Sequence, residues 1–309
     1  MSVDHSLKQK QCGDESNLPK YVLITPARNE AAFIEQTILS VIHQTVLPAK
    51  WVIVSDGSKD RTDEIVERYA LRFSWIELVR MPQRSERHFG GKAFAFKAGY
   101  ERMRGIQYDV IGNLDADIKF DKEYFCYLLK KFDKEPTLGV AGTPFREGSA
   151  QYDYRFSRKE HVSGACQLFK RECFESIGGY VPIKEGGIDL AAVVTARMKG
   201  WKTETFDEKY CIHNRSMGTS NPHFIRYTFR SGYGDYRMGV HPVWQFLRSV
   251  YQMSRKPLFI SGFLLMAGYF WAILIRPSKP VSAEFVYFRR NEQMSWLKEY
   301  YKKVLAVLE

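Results

Sequence analysis

Residues 110–117 read VIGNLDAD, a short apolar run that ends in two carboxylates on alternate positions. Val110–Leu114 has the composition and length of a buried strand. Asp115 and Asp117 follow it directly, and two carboxylates placed in this way suit a hard cation such as Mg²⁺ or Mn²⁺ that bridges two phosphates. An exposed pair of acids is the alternative interpretation. The position after a buried strand favours the cation site.

Two earlier apolar runs end in the same manner. Tyr21–Thr25 is followed by Pro26 and a polar stretch, and Trp51–Val54 is followed by Ser55, Asp56 and Gly57. Because ligands of parallel sheets bind beyond the carboxyl ends of the strands, three polar clusters in this place predict one shared site. The loop around Asp56 also has the chemistry of an ordinary turn into a helix.

Helical and strand-like segments alternate along the first two thirds of the chain. This alternation predicts an α/β fold with a mostly parallel central sheet and helices on both faces. The expected strands are 21–25, 51–54, 75–79, 110–114, 138–143, 162–170 and 201–206, and the expected helices are 30–44, 60–73, 89–103 and 189–199.

Six short motifs, in this order, resemble an inverting family 2 glycosyltransferase. They cover about residues 21 to 218, and they are Thr25-Pro26-Ala27-Arg28-Asn29-Glu30, Asp56-Gly57-Ser58-x-Asp60-x-Thr62, Gly91-Lys92-Ala93, Asp115-x-Asp117, Ser163-Gly164-Ala165 and Ile188-Asp189-Leu190. The resemblance implies a GT-A type nucleotide-sugar-binding domain. Each motif is weak alone, whereas their order and spacing are specific.

The resemblance also implies which residues hold the donor. The base and ribose would be bound by Pro26, Ala27, Arg28, Glu30 and Asp56. Lys92 would face the nucleotide or diphosphate, and Asp115 the ribose or the metal. Asp117 would bind the Mg²⁺ or Mn²⁺ ion, with His213 as a third ligand, and Arg215 would contact the leaving diphosphate.

The catalytic base is predicted less directly. The family shows a Glu-Asp pair before x-Asp-Leu, but this chain has Gly186 and Gly187 at those two positions. Asp189 is therefore the expected base, with Glu185 in reserve. The alternative role for Asp189 is a helix N-cap, and the alternative for His213 is an ordinary hydrogen-bonded residue.

Composition divides the chain into three parts. Residues 1–19 are expected to form a flexible tail, 20–220 the GT-A domain, and 221–309 an aromatic and basic helical region with a hydrophobic helix at 258–275. The net charge of +11 favours anionic partners. A C-terminal membrane-associated segment is the preferred interpretation, with the helix either spanning the bilayer or lying in its interface.

Localisation and redox state follow from what the chain lacks. The polar N-terminus has no apolar signal-peptide core, and an odd number of cysteines, five, without a C-x-x-C pair predicts unpaired thiols. We therefore expect the cytoplasmic side of the cell membrane. The basic residues are spread along the chain, so a nucleic-acid partner is not expected.

Together these features predict inverting transfer of a sugar from a nucleotide sugar, with a UDP-sugar favoured, to a hydroxyl of a lipid-linked or surface glycan. Two alternatives remain open. A polyprenyl-phosphate sugar transferase has a phosphate acceptor and needs no general base. A non-catalytic nucleotide- or membrane-binding protein would bind the nucleotide without turnover.

Overall fold

The computed structural model describes residues 17–82, 90–146, 158–184, 186–214, 224–255 and 257–308. Most of the expected flexible tail at 1–19 lies outside these ranges. The described residues form strands β1 (Tyr21–Ala27), β2 (Lys50–Asp56), β3 (Ile76–Met81), β4 (Val110–Leu114), β5 (Ile118–Lys119), β6 (Leu138–Gly142), β7 (Phe145–Arg146), β8 (Cys166–Lys170), β9 (Lys202–Thr205) and β10 (Cys211–His213).

Helices follow most of these strands and then make up the described residues of the C-terminal part. They are α1 (Ile34–Ile42), α2 (Thr62–Ala70), α3 (Gly90–Glu101), α4 (Tyr124–Lys134), α5 (Arg171–Ser176), α6 (Ile188–Met198), α7 (Phe224–Arg237), α8 (Pro242–Met253), α9 (Ile260–Ile275) and α10 (Ala283–Leu308).

The main sheet has seven strands in the order β3-β2-β1-β4-β8-β6-β9. All neighbours are parallel except β8, which runs antiparallel to both β4 and β6. The chain order reverses between β1 and β4, so this pair marks the switch point where such sheets bind their ligands. The prediction of a mostly parallel sheet is confirmed.

Alternate residues of each central strand point to opposite faces of the sheet. Leu23 packs with residues of α1, α2 and α4 on one face, whereas Val22 packs with residues of α3, α5 and α6 on the other. Both residues are fully buried. Helices therefore cover both faces, as the strand–helix alternation predicts, and the polar strand ends are left at one edge.

A second, three-stranded sheet of order β5-β10-β7 lies beside the main one. The sequence did not predict it, because β5 and β7 have two residues each and β10 has three, too short to show a period. Antiparallel pairing of His213 with Ile118 brings the end of β10 next to the D-x-D segment.

The C-terminal part consists of helices α7 to α10. The apolar helix expected at 258–275 begins only at Ile260, and its N-cap residue Phe259 has a positive φ of 62°. Within the ranges that the structure describes, no helix has both the length and the apolar character needed to cross a bilayer.

Among the four cysteines that the structure describes, the state of Cys126 differs from the expectation. Cys166, Cys173 and Cys211 are free, as predicted, and all three are buried. Cys126 is disulfide-bonded, so the prediction that every thiol is unpaired is wrong there. Spacing along a sequence does not show which cysteines approach each other in space.

Candidate active site

The loops that follow β1 and β2 are tied together by hydrogen bonds. The Asn29 amide donates to Ser58 Oγ at 3.2 Å, and the Lys59 amide donates to Asn29 Oδ1 at 2.7 Å. Asn29 adopts a left-handed conformation with φ of 56°, which asparagine tolerates better than most residues. The sequence did not predict this bridging role of Asn29, although its place within the first predicted binding motif was a usable signal.

Asp60 and Thr62 extend this connection. The Thr62 hydroxyl accepts from the Glu30 amide at 2.8 Å and donates to Asp60 Oδ1, while Asp60 Oδ2 accepts from the Ala31 amide at 3.0 Å. Burial raises the pKa of Asp60, but hydrogen bonds from the Thr62 hydroxyl and from the Ala31 and Thr62 amides lower it by more. The net pKa of Asp60 is therefore below its usual value. The loops are thus held rigidly beside each other.

Asp56 lies at the end of β2, where the second of these loops begins. It ends β2, is largely buried, and its Oδ2 lies 3.8 Å from Nη1 of Arg28. Pro26 and Ala27 end the neighbouring strand β1, where they pair with Val54 and Ser55. The structure therefore brings together the residues that the resemblance assigned to the nucleotide base and ribose.

Lys92 reaches from helix α3 to the end of β4. Its ammonium Nζ lies 2.5 Å from Asp115 Oδ1 and 3.2 Å from the Gly164 carbonyl oxygen. The Asp115 amide in turn donates to the Ala165 carbonyl at 2.9 Å. The Gly-Lys motif, the D-x-D motif and the Ser-Gly-Ala motif thus meet at one point.

Asn113 adds a polar group that sequence reasoning missed. It is almost fully buried in β4, and its Nδ2 donates to the same Gly164 carbonyl at 3.0 Å. Its Oδ1 is buried without a hydrogen-bond partner among the described residues. A single amide within an otherwise apolar strand was the available signal, because a buried polar side chain needs a specific partner.

Asp189 approaches this point from the start of α6. A Cβ atom added to Gly164 would lie 2.7 Å from Asp189 Oδ2, so only glycine at 164 leaves room for the carboxylate. The N-cap of α6 is Gly187, and no side chain caps the helix by a hydrogen bond. Asp189 therefore does not act as the N-cap.

The backbone conformation explains why two glycines precede the Ile188-Asp189 pair. Gly186 and Gly187 have φ values of 101° and 86°, in the region that favours glycine. A Glu-Asp pair at these positions would be strained in this turn. The reserve candidate Glu185 lies outside the described residues, as does Arg215, the predicted diphosphate contact.

Asp117 and His213 form the other half of the site. Asp117 Oδ1 lies 3.4 Å from Nε2 of His213, and both side chains are largely buried. The Asn214 amide donates to the Asp117 carbonyl at 2.8 Å, which fixes β10 against the D-x-D segment. A carboxylate oxygen and an imidazole nitrogen this close fit two ligands of one divalent cation.

The third expected ligand is engaged elsewhere, since Asp115 Oδ1 accepts from Lys92. Across the described ranges, no group of three or more His, Cys, Asp or Glu side chains is arranged to hold a metal ion. The expected set of Asp115, Asp117 and His213 is therefore not assembled as a three-ligand cluster.

The charged groups around Lys92 shift one another's pKa values. Burial lowers the pKa of Lys92, but the Asp115, Asp189 and Asp117 carboxylates raise it, with a net upward shift. Burial and the neighbouring Asp117 carboxylate raise the pKa of Asp115, despite the opposing effect of Lys92 and His213. Three carboxylates thus surround the Lys92 ammonium, with His213 as a further neighbour of Asp115.

Comparison with known sequences gives a family. A family model described as "Glycosyl transferase family 2" matches residues 22–186. The chain is 29% identical over 133 residues to "Uncharacterized glycosyltransferase EpsJ" of Bacillus subtilis, covering 43% of this chain and 36% of that protein. It is 24% identical over 213 residues to "Poly-beta-1,6-N-acetyl-D-glucosamine synthase" of Staphylococcus epidermidis, covering 61% of this chain and 47% of that protein. The chain thus spans less than half the length of these relatives.

Solved structures share the fold. The mannosyltransferase PcManGT from Pyrobaculum calidifontis, in complex with GDP-Man and Mn²⁺, superposes with a TM-score of 0.56 at 20% identity, covering 85% of this chain and 76% of that one. Staphylococcus aureus TarS 1–349, in complex with UDP-GlcNAc, gives a TM-score of 0.52 at 14% identity, with coverages of 81% and 71%. The GT-A type fold expected from the motifs is confirmed.

Proposed function

Since the chain belongs to glycosyl transferase family 2, we propose that it transfers a sugar from a nucleotide sugar to a hydroxyl acceptor with inversion. One observation supports this most directly. Lys92 Nζ contacts both the Asp115 carboxylate and the Gly164 carbonyl, while the Asp189 carboxylate packs on the same Gly164. A candidate base and a candidate diphosphate site thus lie within reach of one sugar.

The donor would lie along the edge formed by β1, β2 and β4. Asp56 and Arg28 are positioned to hold the nucleoside, and Lys92 to contact the diphosphate. Asp117 and His213 would hold the Mg²⁺ or Mn²⁺ ion, whose positive charge offsets the charge that develops on the leaving diphosphate. Their 3.4 Å separation supports this assignment.

Asp189 would take the proton from the acceptor hydroxyl. The freed oxygen bonds to the anomeric carbon on the face opposite the diphosphate, and the bond from that carbon to the diphosphate oxygen breaks with its electron pair. Configuration is therefore inverted, and the nucleoside diphosphate leaves. Lys92 balances part of the charge that the diphosphate gains.

The substrates are inferred from the relatives. One is named a synthase of poly-β-1,6-N-acetylglucosamine, and one structural neighbour holds UDP-GlcNAc, which supports a UDP-sugar and a surface or lipid-linked glycan as acceptor. Another neighbour holds GDP-Man, so the guanine nucleotide is the main competitor.

A panel of UDP-, GDP- and dTDP-sugars tests the proposal. We expect one donor to be hydrolysed or transferred in a Mn²⁺-dependent manner, with the activity lost on chelation. Asp117→Ala should reduce it by about a hundredfold or more, because the diphosphate charge is no longer offset. Asp133→Ala, at an exposed position on α4, is the matched control and should keep full activity.

Two results would contradict the proposal. Equal activity of the wild type and Asp117→Ala would show that Asp117 has no role in the reaction. Tight nucleotide binding with no turnover, even with membrane extract as a source of acceptor, would instead indicate a non-catalytic binding protein.

A further inference from the structure

Helices α8 and α9 each expose a continuous apolar stripe, and together the two stripes form what we name the apolar face. The spacing of three and four residues places each set on one side of its helix. The face consists of Val243, Phe246, Leu247 and Val250 on α8, and of Ile260, Phe263, Phe270, Trp271 and Leu274 on α9. Phe263 is 65% exposed and Leu274 is 75% exposed, values expected of polar surface residues rather than of large apolar ones.

The opposite sides of the two helices are tightly packed. A Cβ atom added to Gly268 would lie 2.0 Å from the Phe229 carbonyl oxygen of α7, and one added to Gly262 would lie 2.2 Å from the Ser249 carbonyl oxygen of α8. Leu265 and Tyr269 of α9 are buried on this side. One side of α8 and of α9 is therefore packed against neighbouring helices, and this packing leaves the apolar face exposed in the folded protein.

Charge in this part of the chain is almost all of one sign. Residues 224–282 contain six arginines and two lysines but a single acidic residue, Asp235. Asp235 is paired with Arg248 at 2.5 Å. Four of the arginines are exposed and form what we name the basic flank, namely Arg226, Arg230, Arg255 and Arg276. Arg255 and Arg276 lie at the two ends of the α9 segment.

We propose that the apolar face docks this protein onto the surface of a bilayer that contains anionic lipids. Large apolar and aromatic side chains next to arginines are the combination that the interface between headgroups and acyl chains selects. Anionic headgroups neutralise the basic flank. A second copy of this chain is a poorer partner, because a symmetric contact through this face would bring two sets of arginines together.

This surface is rigidly connected to the candidate active site. Met238, directly after α7, packs in one cluster with Ala93, Ile188 and Phe285. Ala93 follows Lys92 in the chain, and Ile188 precedes Asp189. Docking through α8 and α9 therefore holds Lys92 and Asp189 in a constant relation to the lipid surface, where a lipid-linked acceptor is presented. The docking itself does not depend on the proposed transfer reaction.

Vesicle flotation of the full chain tests the docking. We expect binding to phosphatidylcholine vesicles that contain about one third phosphatidylglycerol, and much weaker binding to phosphatidylcholine alone. The combined variant Phe246→Ser, Phe263→Ser and Phe270→Ser should reduce binding about tenfold or more. A matched control, Leu71→Ser, Leu47→Ser and Val181→Ser, changes three exposed apolar residues outside the face and should bind like wild type.

Trp271 provides a reporter of insertion, because it is 50% exposed within the apolar face whereas Trp51 and Trp244 are buried. Brominated lipids should quench part of the tryptophan fluorescence, and Trp271→Phe should abolish that part while binding remains. Quenching that persists unchanged in Trp271→Phe would overturn the docking geometry.

The charge contribution is tested with Arg226→Gln combined with Arg230→Gln. We expect severalfold weaker binding to the anionic vesicles and a weaker dependence on salt. The proposal would be overturned if the wild-type protein bound neither kind of vesicle. It would also be overturned if light scattering showed a dimer of the wild-type protein that the triple phenylalanine variant disrupts and the control variants do not. Donor hydrolysis in solution should persist in that variant, so failure of docking is distinguishable from failure of the reaction.

Discussion

The α/β part and the C-terminal helices differ in how many large apolar side chains they expose to solvent. Among the described residues, 6 large exposed apolar side chains lie in 17–214 and 17 lie in 224–308, although the second range is much shorter. In the first part, two layers of helices cover both faces of the sheet. In the second, α9 is buried on one side only.

The two parts are stabilised to different degrees by apolar burial. Burial of apolar area stabilises the α/β part internally, at about 25 cal/mol per Å² removed from water. The C-terminal helices combine smaller apolar clusters with close backbone contacts between α7, α8 and α9, and they leave more apolar area exposed. Changes in the first part should therefore alter chemistry, and changes in the second should alter docking.

The largest expected effect is that of Asp189→Asn. If Asp189 takes the acceptor proton, kcat should fall by about 10² to 10⁴, with little change in donor affinity. Steady-state kinetics and donor binding measure the two quantities separately, and vesicle binding should be unchanged. Full activity in this variant would instead favour a phosphate acceptor, as in a polyprenyl-phosphate sugar transferase, because such an acceptor needs no base.

Lys92→Met should have the next largest effect. Loss of the ammonium beside Asp115 leaves the diphosphate uncompensated, and we expect kcat/KM for the donor to fall by about 10- to 100-fold. Lys97→Met is the matched control, since Lys97 lies on the same helix α3 but is exposed. Equal kinetics for the two variants would exclude Lys92 from donor binding.

A pair of glycine variants separates the two parts of the molecule. Gly268→Ala should destabilise the C-terminal helices by about 1–3 kcal/mol, because the new methyl group meets the Phe229 carbonyl. Gly234→Ala, on α7, has nothing within 4 Å of the added methyl and should stabilise by about 0.5–1 kcal/mol. For Gly268→Ala, hydrogen exchange should show the loss of protection in residues 224–308. Changes of the same sign would contradict the observed crossing of α7 and α9.

The smallest expected effect concerns acid stability. The pKa of Asp60 is lowered in the folded state, so its hydrogen bonds stabilise the fold above the ordinary aspartate pKa of about 3.9 and are lost as pH falls below it. Asp60→Asn should therefore lose less stability on acidification than wild type. Melting temperatures between about pH 5 and pH 2 compare the two, and parallel curves would contradict the assignment.

Much of the α/β part was predictable from sequence, because its signals are local. Val110–Leu114 was predicted with its observed limits, and β1, β2 and β3 each differ from prediction by one or two residues at their ends. The D-x-D motif and the Gly-Lys motif were found, and the structure brings them together. Asn113, Asn29 and the small sheet were missed, since neither a lone amide nor a two-residue strand has a recognisable period.

The sequence alone determined the fold class, the polar strand ends and the apolar segment near residues 258–275, because hydrophobic periodicity and residue type are properties of neighbouring residues. The contacts of Lys92 with Asp115, of Asp117 with His213, and of Asp189 with Gly164 instead of an N-cap role became visible only in the folded chain. The folded chain also shows that α9 buries one side and exposes the other. The physical reason is the same in each case: these contacts join residues from separate elements, and their geometry follows from packing rather than from spacing along the chain.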